Sequence, residues 1–212
     1  MNLQNYYWYF ESALPHRICD QIIEVGNSLR EELALTGDET EKALKGQALS
    51  NNEINDLKKR RDSNVSWLSD NWIYKEIQPY INTANTNANW NFQWDYSEAC
   101  QFTKYGKGQF YDWHCDSFNL PYNDPTQKHY FNKIRKLSVT VSLNDGFEYE
   151  GGDLEFRLNS TRPDKKDTII CEDARKKGSI IVFPSFVWHR VKPVTKGNRY
   201  SLVIWSLGWP FR

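Results

Sequence analysis

The sequence predicts a mainly β fold with flanking α-helices, and three observations carry that expectation. From residue 91 onward, short β-like runs follow one another at 98–105, 110–116, 134–143, 153–157, 167–171, 178–183, 187–194 and 199–207. Turn-forming pairs punctuate them: Gly106-Lys-Gly108, Asn144-Asp-Gly146, Gly151-Gly152, Lys177-Gly178 and Gly197-Asn198. Closely spaced strands with such punctuation indicate a sandwich or barrel, not βαβ units. Before residue 91 two stretches instead carry apolar residues at helical spacing. The third observation is aromatic content: nine Trp, twelve Tyr and eleven Phe offset a negative mean hydropathy, because each can bury a large area against a sheet.

Each element follows from local chemistry. Residues 6–10, Tyr-Tyr-Trp-Tyr-Phe, suit a strand. Pro15 fits the first turn of a helix whose apolar stripe is Ile18, Ile22, Val25, Leu29 and Leu33. Residues 36–64 are polar and charged and predict a long loop with a short helix around 50–59; the run Lys58-Lys-Arg-Arg61 reads as a solvated face. Val65, Trp67 and Leu68 predict a strand. A second helix is expected from Asp70, its cap, to about Asn87, with Trp72, Ile73, Ile77, Tyr80 and Ile81 as the stripe and Pro79 as a weak point. The Asn/Thr-rich stretch 82–91 reads as a loop. The whole, 1–212, is expected to be one domain: a helical support region over 1–90 and a β core over 91–212.

Zero formal net charge and a near-neutral isoelectric point argue against nucleic acid or an anionic membrane as partner. Cys19, Cys100, Cys115 and Cys171 show no C-x-x-C spacing and are expected as free thiols. No charged-then-apolar leader opens the sequence and no run of about 18 apolar residues occurs, so a cytoplasmic location is expected. The sequence does not specify an oligomeric state.

Chemistry concentrates in Tyr111-Asp-Trp-His114-Cys-Asp116. On a strand, positions i and i+2 share a face, so His114 and Asp116, about 7 Å apart at Cα, can share one ion. His16 falls in a first helical turn and reads as a surface residue; His129 lies in a polar stretch. His189 differs, opening a strand just after the apolar run 178–188, so the scaffold can aim it inward. Two histidines and a carboxylate on one side of a metal suit non-haem Fe(II). Ten residues on, Arg199 and Ser201 again share a face. A guanidinium aimed into a β interior needs an anion, and its fork suits a carboxylate. Cys115, between the two ligands, is expected to face away and pack.

The order H-x-D, distal His, then Arg-x-Ser resembles the Fe(II)/2-oxoglutarate-dependent oxygenase superfamily, and more closely its prolyl 4-hydroxylase-like (PKHD-type) branch. The resemblance covers residues 98–212 through Gln101–Asp116, Arg135–Leu143, Tyr149–Phe156, Lys177–His189 and Gly197–Trp205. It implies a double-stranded β-helix (jelly-roll) core, with His114, Asp116 and His189 holding Fe(II). It further implies that Arg199, assisted by Ser201 and Tyr105, binds the co-substrate 2-oxoglutarate, that Trp205 lines the active site, and that ascorbate serves as reductant. The implied reaction is hydroxylation of a peptide or protein substrate, coupled to decarboxylation of 2-oxoglutarate to succinate and CO2. Segment 117–133, with Phe118, Tyr122, His129, Tyr130 and Phe131, is expected to form a mobile substrate lid. Alternatives stay open: the same chemistry on a free amino acid or other small molecule, or a non-catalytic metal-binding jelly-roll. A zinc hydrolase would leave Arg199 without a purpose. Nucleic-acid demethylases of the superfamily carry a second arginine where this chain has Trp205, which argues against that class.

Overall fold

The computed structural model describes residues 3–36, 39, 42, 46–117, 120–158 and 167–211. Two antiparallel sheets face each other as in a jelly-roll, and helices cover the outer face of the larger one. In chain order the larger sheet takes β1 (Trp8–Phe10), β2 (Glu32–Leu33), β4 (Asn64–Leu68), β5 (Tyr96–Ser97), β6 (Cys100–Tyr105), β8 (Ile134–Ser142), β12 (Ile180–Pro184) and β15 (Arg199–Gly208). Its path runs β1-β12-β8-β15-β6-β4-β2, with β5 pairing on β15. The smaller sheet has β3 (Arg61–Asp62), β7 (Phe110–His114), β10 (Leu154–Arg157), β11 (Thr168–Ile170) and β13 (His189–Val191), in the order β11-β10-β13-β7-β3. A two-stranded ribbon joins β9 (Tyr149–Gly151) to β14 (Val194–Gly197). The first ninety residues, expected as helical support, thus also supply strands to both sheets.

Alternation along the strands sorts residues between the two sides of the larger sheet. On β15, Leu202 and Ile204 join Phe102 of β6 and Val139 and Val141 of β8 in the core beneath the helices. Arg199, Ser201, Val203 and Trp205 point the other way, into a cavity. The helix-facing core is closed by α1 (His16–Ser28) through Ile18, Cys19 and Ile22, and by the helix Asn71–Asn87 through Ile73, Ile77 and Ile81. Fully burying one such aliphatic side chain contributes roughly 1.5–3 kcal/mol. At Gly26 a Cβ would stand 2.5 Å from the Phe102 ring, so α1 can lie this close to β6 only with glycine there.

Several local expectations are revised. The first helix ends at Ser28, and Leu29, in an extended conformation, is 40% exposed instead of extending the stripe. Pro15 precedes that helix as its cap, and His16 is exposed. The expected short helix forms as α2 (Asn51–Lys58), closed by a capping box between Ser50 and Glu53. The second expected helix forms as α3 (Asn71–Asn87) with the end the spacing predicts, so only residues beyond Asn87 of the Asn/Thr-rich stretch 82–91 lie outside it. Its apolar stripe continues past the Asn/Thr composition into the buried Ala84, Asn85 and Ala88, and tertiary burial outweighs weak helix propensity. Pro79 sits on its exposed side, and Asp70 occupies the cap position without a side-chain capping bond. All four cysteines are free. Among the described residues, no helix is long and apolar enough to cross a membrane.

Candidate active site

Strand pairing assembles the site. His189 at the start of β13 stands directly opposite His114 at the end of β7, so two residues 75 positions apart in sequence become cross-strand neighbours. Asp116 lies just past the end of β7, not on it. There the chain turns, and the amides of Asp116 and Ser117 both donate to the Ser185 carbonyl, at 2.8 and 2.9 Å. The carboxylate still arrives between the imidazoles: His114 Nε2 is 3.7 Å from Asp116 Oδ1, and His189 Nε2 is 3.6 Å from Oδ2. One donor atom from each of the three residues lies within 4.8 Å of the others, a spacing that can hold a metal ion.

The protonation pattern suits a cation. Nδ1 of His114 donates to the Asp112 carbonyl at 2.8 Å and Nδ1 of His189 to the Val187 carbonyl at 3.0 Å. Because a carbonyl only accepts, Nδ1 of each ring carries a proton, and Nε2, which faces the carboxylate, is the nitrogen left to ligate a metal. Burial, and next the neighbouring His189, push the His114 imidazole well below its ordinary value, so it stays neutral. Burial pushes the Asp116 carboxyl upward, but His189, His114, Arg135 and the Ser138 hydroxyl bring it down to about 2. Ser138 Oγ donates to Asp116 Oδ2 at 2.7 Å and lies 3.0 Å from Ser185 Oγ. A buried carboxylate facing the Nε2 atoms of two imidazoles is a donor set that fits a bound divalent cation. Cys115 Sγ turns back towards the Ser117 carbonyl, 3.7 Å away, as a packing residue would.

These three residues line a cavity of about 870 Å³ between the sheets, a size that accommodates small-molecule ligands. Arg199, Ser201, Tyr105 and Trp205 line it too. Arg199 opens β15 opposite Tyr105 of β6, and its guanidinium lies 5.5 Å from the Tyr105 ring centroid. One Nη donates to Ser201 Oγ at 3.2 Å. Arg199 is 3% exposed, and among the described residues no carboxylate pairs with it. A buried guanidinium without an anion is costly, so the environment of Arg199 fits a ligand carboxylate. The turn before it depends on Gly197, whose φ of +74° and 2.3 Å approach of a would-be Cβ to the Glu148 carbonyl exclude other residues. Trp205 presents a buried indole N–H with no acceptor among the described residues.

Sequence reasoning missed part of the wall. Arg135 stacks on the Trp205 ring at 3.8 Å and makes a two-pronged ion pair with Glu98, both contacts 2.7 Å. Tyr122, from the expected lid, donates its hydroxyl to Glu98 at 3.0 Å. Tyr130 and His129 pack against Tyr96, His129 face to face at 4.9 Å. Tyr122 thus braces Glu98, Tyr130 packs edge-on against Tyr122 at 5.4 Å, none of the three is among the residues lining the cavity, and Phe118 lies outside the described residues. Arg61, read as part of a solvated basic run, is 5% exposed and faces the cavity. The pairing of β3 with β7 turns it inward, opposite Tyr111.

Comparison with known proteins agrees with this geometry. The model of the 2OG-Fe(II) oxygenase superfamily matches residues 100–207. A PKHD-type hydroxylase of Thermosynechococcus vestitus, tll1907, is 35% identical over 106 residues, covering 49% of this chain and 40% of that protein. A PKHD-type hydroxylase of Alteromonas mediterranea is 33% identical over 107 residues, 49% of this chain and 41% of the relative. The match thus spans about two fifths of the length of these curated relatives. Among solved structures, the viral collagen prolyl hydroxylase of Paramecium Bursaria Chlorella virus-1 has a TM-score of 0.62 at 19% identity, covering 97% of each chain. The Pseudomonas putida prolyl-4-hydroxylase has a TM-score of 0.60 at 18% identity, covering 96% of this chain and 92% of its own. A Trichoplax adhaerens prolyl hydroxylase, solved with a hypoxia inducible factor peptide, has a TM-score of 0.61 at 15% identity, with coverages of 96% and 84%. At these identities the structural likeness establishes the fold.

Proposed function

The chain belongs to the 2OG-Fe(II) oxygenase superfamily, and from that premise we propose that it is a prolyl 4-hydroxylase-like dioxygenase acting on a peptide or protein substrate. The observation that carries the reading is the pairing, in one cavity, of a His-Asp-His donor set with a buried arginine lacking a carboxylate partner among the described residues. His114 and His189 would bind Fe(II) through Nε2 and Asp116 through its carboxylate. Arg199, with Ser201 beside it, would hold the distal carboxylate of 2-oxoglutarate, and Tyr105 would contact the same molecule. When bound, iron supplies oxygen activation: one atom of O2 enters succinate as CO2 leaves, and the other is inserted into a substrate C–H bond.

The protein's own contribution is positional. Ser138 fixes the Asp116 carboxylate, and the Asp112 and Val187 carbonyls fix the two ring tautomers. The strand walls exclude water from the reacting centre. Trp205 and Arg135, braced by Glu98, form the wall on the β15 side. A peptide target is supported by the prolyl hydroxylases among the structural relatives, one of them solved with a peptide bound.

The test is a turnover assay on purified protein with Fe(II), ascorbate and 2-oxoglutarate, following succinate. Mass spectrometry for a +16 Da shift on proline-rich peptides then identifies the target. Slow succinate formation without prime substrate, accelerated by a peptide that gains 16 Da, is the expected result. Correctly folded, iron-loaded protein that forms no succinate under any condition would sink the reading.

A further inference from the structure

Four arginines line the cavity, and three are accounted for. Arg60 pairs with Glu39 and Arg135 with Glu98, while Arg199 is assigned to the co-substrate. Arg61 has no carboxylate partner among the described residues. Its Nε donates to Ser63 Oγ at 3.1 Å, Nη1 makes only a long 3.4 Å contact with the Leu35 carbonyl, and the buried Nη2 has no acceptor. The guanidinium lies 4.4 Å from the Tyr111 ring centroid, and the Tyr111 ring in turn stacks on His114 at 3.4 Å.

We infer that Arg61 is a substrate-binding residue that takes a carboxylate, and hence that the prime substrate carries one close to the carbon that is hydroxylated. The inference rests on the dioxygenase reading above. An unpaired buried guanidinium calls for an anion, and its planar fork matches a carboxylate. Charge balance points the same way. A divalent metal and Arg199 would offset Asp116 and the two carboxylates of 2-oxoglutarate, so none of these anions is left for Arg61, and the other acidic residues lining the cavity, Glu32 and Asp112, make no ion pair with it. Placement bounds the substrate too: Arg61 is two stacking layers from His114, a gap that a small molecule or one terminus of a peptide spans. A free amino acid, the C-terminus of a peptide, and an acidic side chain share this chemistry.

The experiment uses protein loaded with Mn(II) in place of iron. Binding is followed by calorimetry and by the relaxation of water protons near the Mn(II). 2-Oxoglutarate is titrated first. Free amino acids are then added singly, each against its C-terminal amide, followed by short peptides as acids and amides, with and without Asp or Glu. At least one acid probe is expected to bind about tenfold or more tighter than its amide, as befits a charge-assisted bond. Arg61→Gln should erase that preference, and Arg61→Lys, which keeps the charge but loses the fork, should retain part of it. Which probe shows the preference identifies the source of the carboxylate. Equal binding of every acid and amide by the wild type overturns the inference, as does a preference that survives in Arg61→Gln. If Arg61→Gln does not fold, undiminished preference in Arg61→Lys overturns the fork-based role. Failure of 2-oxoglutarate to bind strikes the dioxygenase reading itself; normal binding without acid preference strikes only Arg61.

Discussion

At the scale of single residues, the site separates ligands from the groups that aim them. His114→Ala removes one of three donors, and turnover should fall to background; metal retained after dialysis is the direct check. The Ser138 hydroxyl bonds to the Asp116 carboxylate and Ser185, so Ser138→Ala should weaken metal binding by about tenfold and leave the fold intact. Mn(II) titration measures it, and an unchanged affinity would remove Ser138 from that role. Arg199→Ala deletes a charged hydrogen-bonding partner, so the 2-oxoglutarate concentration at half-maximal rate should rise by roughly 10- to 100-fold. An unchanged requirement would take Arg199 out of co-substrate binding. The residues proposed as metal ligands and Arg199 were legible from residue type, the i, i+2 spacing of His114 with Asp116 and of Arg199 with Ser201, and the place of His189 at a strand start. Arg61 and the Glu98–Arg135 pair were not, because a charged residue in a polar run reads as solvated until its strand partner is known.

Among the elements, α3 shows how packing decides a boundary. Asn85 makes its last turn hold: its side chain donates to the Phe92 carbonyl and accepts from the Phe92 amide, both at 2.9 Å. Its own carbonyl accepts from the amides of Trp90 and Asn91. Asn85→Ala leaves two buried backbone groups of Phe92 without partners, at a cost of about 1–3 kcal/mol. The melting temperature should then drop by about 2–4 °C for each kcal/mol lost. Apolar spacing predicted a helix to about Asn87 while the Asn/Thr composition from residue 82 pointed to a loop; the burial of Ile81, Ala84 and Ala88 decides for the helix. On the sheet side, β7 ends two residues early for a continuous H-x-D strand. The motif works because Ser185 captures the chain where it turns.

For the molecule as a whole, stability should depend on pH through Lys136. This residue sits at the register shift between β8 and β15, is 3% exposed, and its Nζ lies 3.4 Å from the Phe211 ring centroid. Burial pushes its ammonium down to about 8. A lysine whose folded value lies below its unfolded value, about 10.4, opposes folding while charged. That cost is fully present below about pH 8 and fades as pH rises toward the unfolded value. Lys136→Met should therefore raise the melting temperature at pH 7 by a few degrees, net of the lost ring contact, with the gain vanishing near pH 10.5. A melting temperature at pH 7 no higher than that of the wild type would refute this.

Sequence alone determined the β-rich core, the two main helices, the His-Asp-His set and the Arg-x-Ser pair. Each of these depends on local rules: strand alternation, helical spacing, turn residues, and the chemistry a side chain carries wherever it lies. Only the tertiary structure decided which distant strands pair. Pairing set His189 opposite His114 and turned Arg61 from the surface into the cavity, and tertiary contact drew Tyr122 onto Glu98. The physical reason is that a charged or aromatic side chain is equally at home in water or in a satisfied interior. Which it meets depends on partners tens of residues away, and those partners leave no trace in the pattern around it.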